Sequence, residues 1–284
     1  MRICRRPPGN SSARKNNSAV PRPPLTDPGP GGRISGQKRI REVLFGMIRL
    51  IADVHTHTIV SGHAYGTIRE MAQAAAEQGM QILACTEHGP HTPGTCDPIY
   101  FNNLWTIPRV LYGVHILHGC ELNVMNDWDM GLKEKSLAKL DFAIAGVHPI
   151  CYEDRGREEN TENVAFYMRH PKVRFVSHPD DDTTALDYPR LVQTAGETHT
   201  ALEVNNSSFQ KGDRRINYLE NYRTMLRLCR AQGVPIVVNT DAHDPSRVGR
   251  FDEALAFVEA EGFPPELILN TDADRLMRFL TEDY

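Results

Sequence analysis

The chain has 284 residues, 40% of them apolar, and a formal net charge of −4. That length holds one large domain with a sizeable core, and a single α/β barrel of about 240 residues is ordinary. The slight acidity argues against a nucleic-acid binder that works by bulk electrostatics, and no run approaches the roughly 18 apolar residues of a membrane span.

Residues 1–46 are rich in Pro, Gly, Asn and Ser, with Asp27 and Glu42 as their only acids. Such a segment has too little apolar surface to offset the entropy of ordering it, so a disordered, non-catalytic tail is expected there. It lacks the apolar core of a secretory signal, and its prolines fit a transit peptide poorly. Met47 directly precedes the first strand and is an alternative start; the folded domain is expected over 47–284. The six cysteines, Cys4, Cys85, Cys96, Cys120, Cys151 and Cys229, form no CxxC, which fits reduced thiols in a cytoplasm.

An apolar run over 48–54 predicts a buried strand, and His55 and His57 follow it at i and i+2. Alternate residues of extended chain point the same way, so the two imidazoles can aim at one point. A helix is predicted over 67–78, with Thr67 as its N-cap and Gly79 as its stop. The second strand, 81–86, ends at Glu87-His88-Gly89. An irregular section over 101–112 precedes the third strand at 114–117, which leads to Glu121. A helical stretch over 132–140 leads to the fourth strand, 141–147, ending at His148-Pro149. A helix over 162–169 leads to the fifth, 173–176, ending at His178-Pro179. The sixth, 201–204, ends in the turn-like Asn205-Asn206-Ser207-Ser208. A long helix over 215–232 leads to the seventh, 235–238, ending at Asp241-Ala242-His243, and helices over 251–261 and 272–280 close the chain.

Strands alternating with helices predict a parallel sheet, either a (β/α)7 barrel or a doubly wound open sheet. In both, the ligand face lies at the carboxyl ends of the strands. His55, His57, His88, Glu121, His148, His178, Asp241 and His243 all fall there, and His63 lies in the first such loop. Seven imidazoles and two carboxylates exceed what one ion can use, so two or three ions are expected. Paired ions about 3.5–4 Å apart are a standard device for phosphate-ester hydrolysis, one face activating a water while the other neutralises phosphoryl charge. The remaining histidines have plainer readings: His170 and His199 sit at helix ends, His115 and His118 in or after a strand, and His91 in a loop bordering the site. Asp180, Asp181 and Asp182 read as a solvated loop. Candidate phosphate-binding cations are Arg155, Arg157, Lys211, Arg214, Arg215 and Arg247.

The motifs DVHTHT at 53–58, SGHAYGT around His63, TEHGP at 86–90, GCELN at 119–123, AGVH at 145–148, SHP at 177–179, LEVNNSSF at 202–209 and TDAH at 240–243 resemble the PHP (polymerase and histidinol phosphatase) superfamily. Within it they look closest to YcdX-type bacterial phosphatases, from about Met47 to the C-terminus. The resemblance implies a distorted seven-stranded barrel and a trinuclear site, usually zinc, with Mn2+ or Fe2+ as alternatives. His55, His57, Glu121 and Asp241 would hold the first ion. Glu121, as a bridge, would hold the second with His148 and His178, and His63, His88 and His243 the third. Glu121, Asp241 and His243 would carry catalysis on a small phosphorylated substrate, with no nucleic acid or membrane partner and homo-oligomerisation left open. Two departures stand out: Glu87 replaces a more usual Asp, and Pro149 follows His148. The competing readings are an amidohydrolase, a nuclease and a metal store or sensor. The first would want a lysine where Gly146-Val147-His148 stands.

Overall fold

The computed structural model describes residues 48–282. The expected tail over 1–46 and Cys4 therefore lie outside the described residues. The strands are β1 (Ala52–Thr56), β2 (Ile82–His88), β3 (Val110–Leu111), β4 (Val114–Asn123), β5 (Phe142–Gly146), β6 (Val173–Val176), β7 (Ala201–Asn205) and β8 (Ile236–Asn239). Seven of them run parallel in the order β1-β2-β4-β5-β6-β7-β8, as a nearly closed barrel with helices between the strands. β3, in the stretch expected to be irregular, pairs antiparallel with β4 through a turn at Tyr112 and Gly113, both at positive φ.

The helices are α1 (Ile68–Glu77), α2 (Ile99–Asn102), α3 (Glu134–Leu137), α4 (Arg157–Met168), α5 (Tyr188–Thr198), α6 (Asn206–Gln210), α7 (Tyr218–Gln232), α8 (Asp252–Ala260) and α9 (Ala273–Thr281). Thr67 caps α1 in a reciprocal box with Glu70, which fixes where the chain turns back from the first loop. Two helical expectations change. The stretch over 132–140 forms only the short α3, whose Lys133 makes no side-chain cap. The Asn-Ser turn after β7 is instead the start of α6, because the Asn205 side chain accepts from the Ser207 N–H and caps it.

Side chains divide into an inner and an outer core. Inside the barrel Ala52, Ile82, Leu117, Phe142, Ile144, Phe175 and Val237 pack with Leu276, Phe279 and Leu280 of α9. Outside, Cys120, Leu122, Tyr167, Leu191, Tyr222 and Met225 join the strands to the helices. The inner set is apolar, so a polar cluster can form only at the strands' carboxyl ends. Cys85, Cys96, Cys120, Cys151 and Cys229 are free thiols.

Between β1 and β8 the barrel is closed mainly by side chains. One bridge joins Thr56 to Ala242, with the His57 N–H on the Ala242 carbonyl at 2.8 Å. The Val54 N–H donates to Asn239 Oδ1 at 3.1 Å, and the Thr240 hydroxyl to the Asp53 carboxylate at 2.5 Å. Further down, Asn270 fills the gap. Its amide donates to the Ala52 and Val238 carbonyls and accepts from the Val238 N–H, while its own carbonyl takes the Ile51 N–H. One side chain thus does the pairing that a further strand would do.

Candidate metal centre

The nine residues singled out by sequence all lie at the carboxyl-terminal mouth of the barrel. At its base His55, His57 and Glu121 are fully buried; His88, His178 and Asp241 are nearly so, and His63 and His243 form the rim. The β1–β2 register slips between Asp53 and Thr56, a bulge that breaks strand alternation just where His55 sits. His178 and Asp241 adopt positive φ, +31° and +53°, a conformation that non-glycine residues hold at a cost of about 1–3 kcal/mol. The His178 backbone is held there by its N–H on Glu203 Oε2 at 2.8 Å.

Five imidazoles have Nδ1 engaged by an acceptor, which turns Nε2 towards the common centre. His55 Nδ1 meets Glu203 Oε1 at 2.8 Å, His57 Nδ1 the Ser61 hydroxyl at 3.2 Å and His148 Nδ1 Asn123 Oδ1 at 2.7 Å. His63 and His243 use the backbone carbonyls of Ser61 and Asp241, at 3.1 and 2.9 Å. The Ser61 hydroxyl donates its own proton to Glu87 Oε2 at 2.7 Å, so His57 Nδ1 must donate to it. Glu87, the departure from the more usual Asp, thereby fixes the His57 tautomer through Ser61.

Around Glu121 the inward atoms crowd together. Oε1 lies 3.4 Å from His55 Nε2, 3.4 Å from His148 Nε2 and 3.1 Å from His178 Nε2. Oε2 lies 3.6 Å from His57 Nε2 and 2.9 Å from His88 Nδ1. Asp241 Oδ1 lies 3.2 Å from His57 Nε2 and 3.7 Å from His55 Nε2. Metal bonds of about 2.1 Å place neighbouring tetrahedral ligand atoms about 3.4 Å apart, the spacing found here. His88 Nδ1 and Glu121 Oε2 are buried and make no hydrogen bond, though they stand 2.9 Å apart. Two buried polar atoms this close with no hydrogen bond between them fit a shared cation. Glycine at 146 leaves the room: a Cβ there would fall 2.6 Å from Glu121 Oε1 and from Ser177 Oγ.

The electrostatics suit the same reading. Burial opposes charge on Glu121 and Asp241, yet the imidazoles around them hold both well below the ordinary carboxylate range. Burial, reinforced by neighbouring imidazoles, pushes His57 well down, and His63 is lowered for the same reasons. Burial also disfavours a charged His55, but Glu203, Glu121 and Asp241 overrule it and raise its pKa well above the usual range. Carboxylates kept ionised beside His57, His63 and His148, whose charged forms burial disfavours, are a donor set that suits a divalent cation.

Three groupings of potential ligands stand out, with donor atoms within 4.8 Å of one another: His55/His57/Asp241, His57/His88/His243 and His88/Glu121/His148. They differ from the expected partition in that His57 and His88 each serve two groups. His63 and His178 fall outside all three, although His63 Nε2 lies 3.2 Å from His243 Nε2 and His178 touches Glu121.

A cavity of about 180 Å3 opens onto this cluster and is lined by His63, His88, His148, His178, Asp241 and His243, with Lys211 and Arg215 beside them. Of the other candidate cations, Arg155 pairs with Glu153, Arg157 lines a separate surface hollow and Arg214 is exposed outside both. His91 stands against Asp129 at 3.2 Å rather than in this cavity. Asp180 is not a solvated loop residue. It is fully buried, accepting from Arg215 at 2.8 Å, Tyr222 at 3.0 Å and Ser208 at 3.1 Å. Sequence reasoning missed Glu203, whose carboxylate takes His55 Nδ1, the His178 N–H and the amides of Asn205 and Asn239. The available signal was an acid between Leu202 and Val204 in an apolar strand, where a buried charge needs partners.

A "probable phosphatase" of Acetivibrio thermocellus is 40% identical over 237 residues, covering 82% of this chain and 96% of that protein. The histidinol phosphate phosphatase of Lactococcus lactis, solved with zinc, L-histidinol and phosphate, shares the fold at 18% identity and TM-score 0.53, over 75% of this chain and 94% of that one. A chain of archaeal ribonuclease P, solved with mature tRNA, does so at 14% identity and TM-score 0.50, over 81% and 93%. A fold found in both a phosphatase and an RNA-bound complex assigns no substrate by itself. The PHP domain profile matches residues 53–265, and with the relative above this shows that the chain belongs to the PHP domain family.

Proposed function

We propose that the protein is a metal-dependent phosphatase that hydrolyses a small phosphomonoester, with three divalent ions, zinc foremost and Mn2+ or Fe2+ as alternatives. The observation that carries this reading is the convergence of five imidazole nitrogens on the buried Glu121 carboxylate, where His88 Nδ1 and Glu121 Oε2 make no hydrogen bond. The printed names of the relatives, and zinc and phosphate in the Lactococcus lactis enzyme, support it. His55, His57, Glu121 and Asp241 would hold one ion, Glu121 with His148 and His178 a second, and His63, His88 and His243 a third. Bound divalent ions supply charge neutralisation at the phosphoryl oxygens and acidify a water.

The chain's own residues do the rest. Glu203, Ser61 and Asn123 fix the imidazole tautomers before substrate arrives. Lys211 and Arg215 line the cavity with positive charge for the phosphoryl group. Asp241 Oδ1 faces His55 and His57 while Lys211 Nζ lies 3.7 Å from Oδ2, and this second oxygen would accept a proton from the attacking water. His243, at the rim of the same cavity, closes the third set and faces the substrate. No helix among the described residues is long and apolar enough to cross a membrane, and the free thiols fit action in a cytoplasm. The test combines elemental analysis with a phosphate-ester panel. Chelation should abolish hydrolysis and metal should restore it; full activity in metal-free protein would sink the proposal.

A further inference from the structure

A second and larger hollow, about 450 Å3, adjoins the first and shares His63, Lys211, Asp241 and His243 with it. Arg247 and Arg250 line it too, together with Tyr65 and Gln210. The two hollows differ in how their cations are used. Arg215, in the first, is bound to the buried Asp180 carboxylate at 2.8 Å. Among the described residues, neither Arg247 nor Arg250 stands within ion-pairing distance of a carboxylate, and Arg247 touches only the neutral Gln210 amide oxygen, at 3.4 Å. Besides Asp241, the acid in that hollow is Asp244, which turns its Oδ1 back onto the N–H and hydroxyl of Ser246, at 3.0 and 2.6 Å; Arg247 acts on it only from beyond ion-pairing distance.

We propose that this hollow is an anion subsite: the substrate is a phosphomonoester carrying a second anionic group, carboxylate or phosphate, on its leaving-group side, and Arg247 and Arg250 receive that group. The inference rests on the phosphatase reading for the position of the scissile phosphate and extends it to the rest of the substrate. A phosphoryl group at the centre would reach outward past Lys211, and Tyr65 offers a flat apolar face along the way. Guanidinium groups take carboxylate or phosphate through paired N–H donors, which a lone lysine cannot do.

The test uses non-hydrolysable probes. Calorimetry on the metal-loaded protein would compare alkylphosphonates with ω-carboxy- and ω-phosphono-alkylphosphonates of matched length, from two to six methylenes. At one or more lengths a charged tail should bind about tenfold tighter, the size of two partly exposed charge-assisted contacts. The advantage should disappear in Arg247→Ala/Arg250→Ala and largely persist in Arg247→Lys/Arg250→Lys. The carboxy and phosphono arms tell which anion is preferred. Equal affinities at every length, no binding of either series, or a preference that survives the double alanine variant would overturn the subsite. Failure to hydrolyse simple alkyl phosphates would instead count against the phosphatase reading, while the affinity ratio would still report on the subsite.

Discussion

The base of the site and its rim are built differently. At the base His55, His57 and Glu121 are shut off from solvent, and side chains orient them: Glu203 and Ser177 from other strands or their ends, and Ser61 from the turn after β1, itself anchored on Glu87 of β2. At the rim His63 and His243 are held by backbone carbonyls only two residues away, and each remains partly open to solvent. A base fixed from several elements is organised before any ion arrives, whereas a rim fixed by its own loop moves with that loop. The ions at the base should therefore bind tighter and matter more.

The largest break of this contrast is expected from Glu121→Ala. It removes the carboxylate that five imidazoles face and would leave the cations proposed on either side of it to repel each other. Turnover should fall well beyond the roughly 100-fold typical of outer-layer losses, with metal content dropping in parallel by elemental analysis. Gly146→Ala attacks the same carboxylate without deleting it. The added methyl would meet Glu121 Oε1 and Ser177 Oγ at 2.6 Å, so a loss of roughly 100-fold is expected, the scale of a 1 Å misplacement. Activity within a factor of two of the parent would mean that the carboxylate position is not critical.

Glu203→Gln tests whether the orienting layer acts through the base. Burial opposes the Glu203 charge, but the His55 imidazole beside it holds its pKa below the ordinary range. The amide keeps the shape and loses that charge, so metal affinity should fall roughly 10–100-fold with the fold intact. His63→Ala acts on the rim alone, where about one ion should be lost and part of the activity kept, because paired ions still suffice for phosphate-ester hydrolysis. Equal metal losses in His63→Ala and Glu121→Ala would show that base and rim are one unit.

The smallest effect lies on β4 below the site. His118 is buried, and burial lowers its pKa to about 4. Unfolded chain takes up that proton near pH 6.5, while the folded protein resists until about pH 4. The contribution to stability is thus fully present above pH 6.5 and lost as pH falls towards 4. Between pH 7 and 5.5 it should amount to about 1 kcal/mol, or a few degrees of Tm. His118→Gln should remove that part of the slope in thermal melts; an unchanged slope would assign it elsewhere.

Much of this was legible because the barrel repeats one grammar, an apolar run followed by a ligand. The seven parallel strands follow from it, and the family resemblance points from there to the (β/α)7 class rather than an open sheet. What stayed hidden depends on contacts between distant segments. Asp180 reads as one of three consecutive acids until Arg215, Tyr222 and Ser208 close over it. Glu203 reads as an oddity of its strand until His55 and His178 reach it. The division of ligands among ions is hidden for the same reason, since it turns on how the loops holding His57 and His88 sit against each other.

The clasp at Asn270 sets an order of events during synthesis. Its amide reaches Ala52, 218 positions earlier, so the first strand leaves the ribosome long before its closing partner exists. Until then β1 has one open edge, and His55 and His57 are separated from Asp241 and His243 by an unfinished wall. Loop closure over such a span is slow and entropically costly. A chain stopped ahead of Asn270 would carry all nine candidate ligands yet lack the staple that holds the first and last strands in register. It should expose sheet edges and be drawn towards aggregation rather than metal uptake.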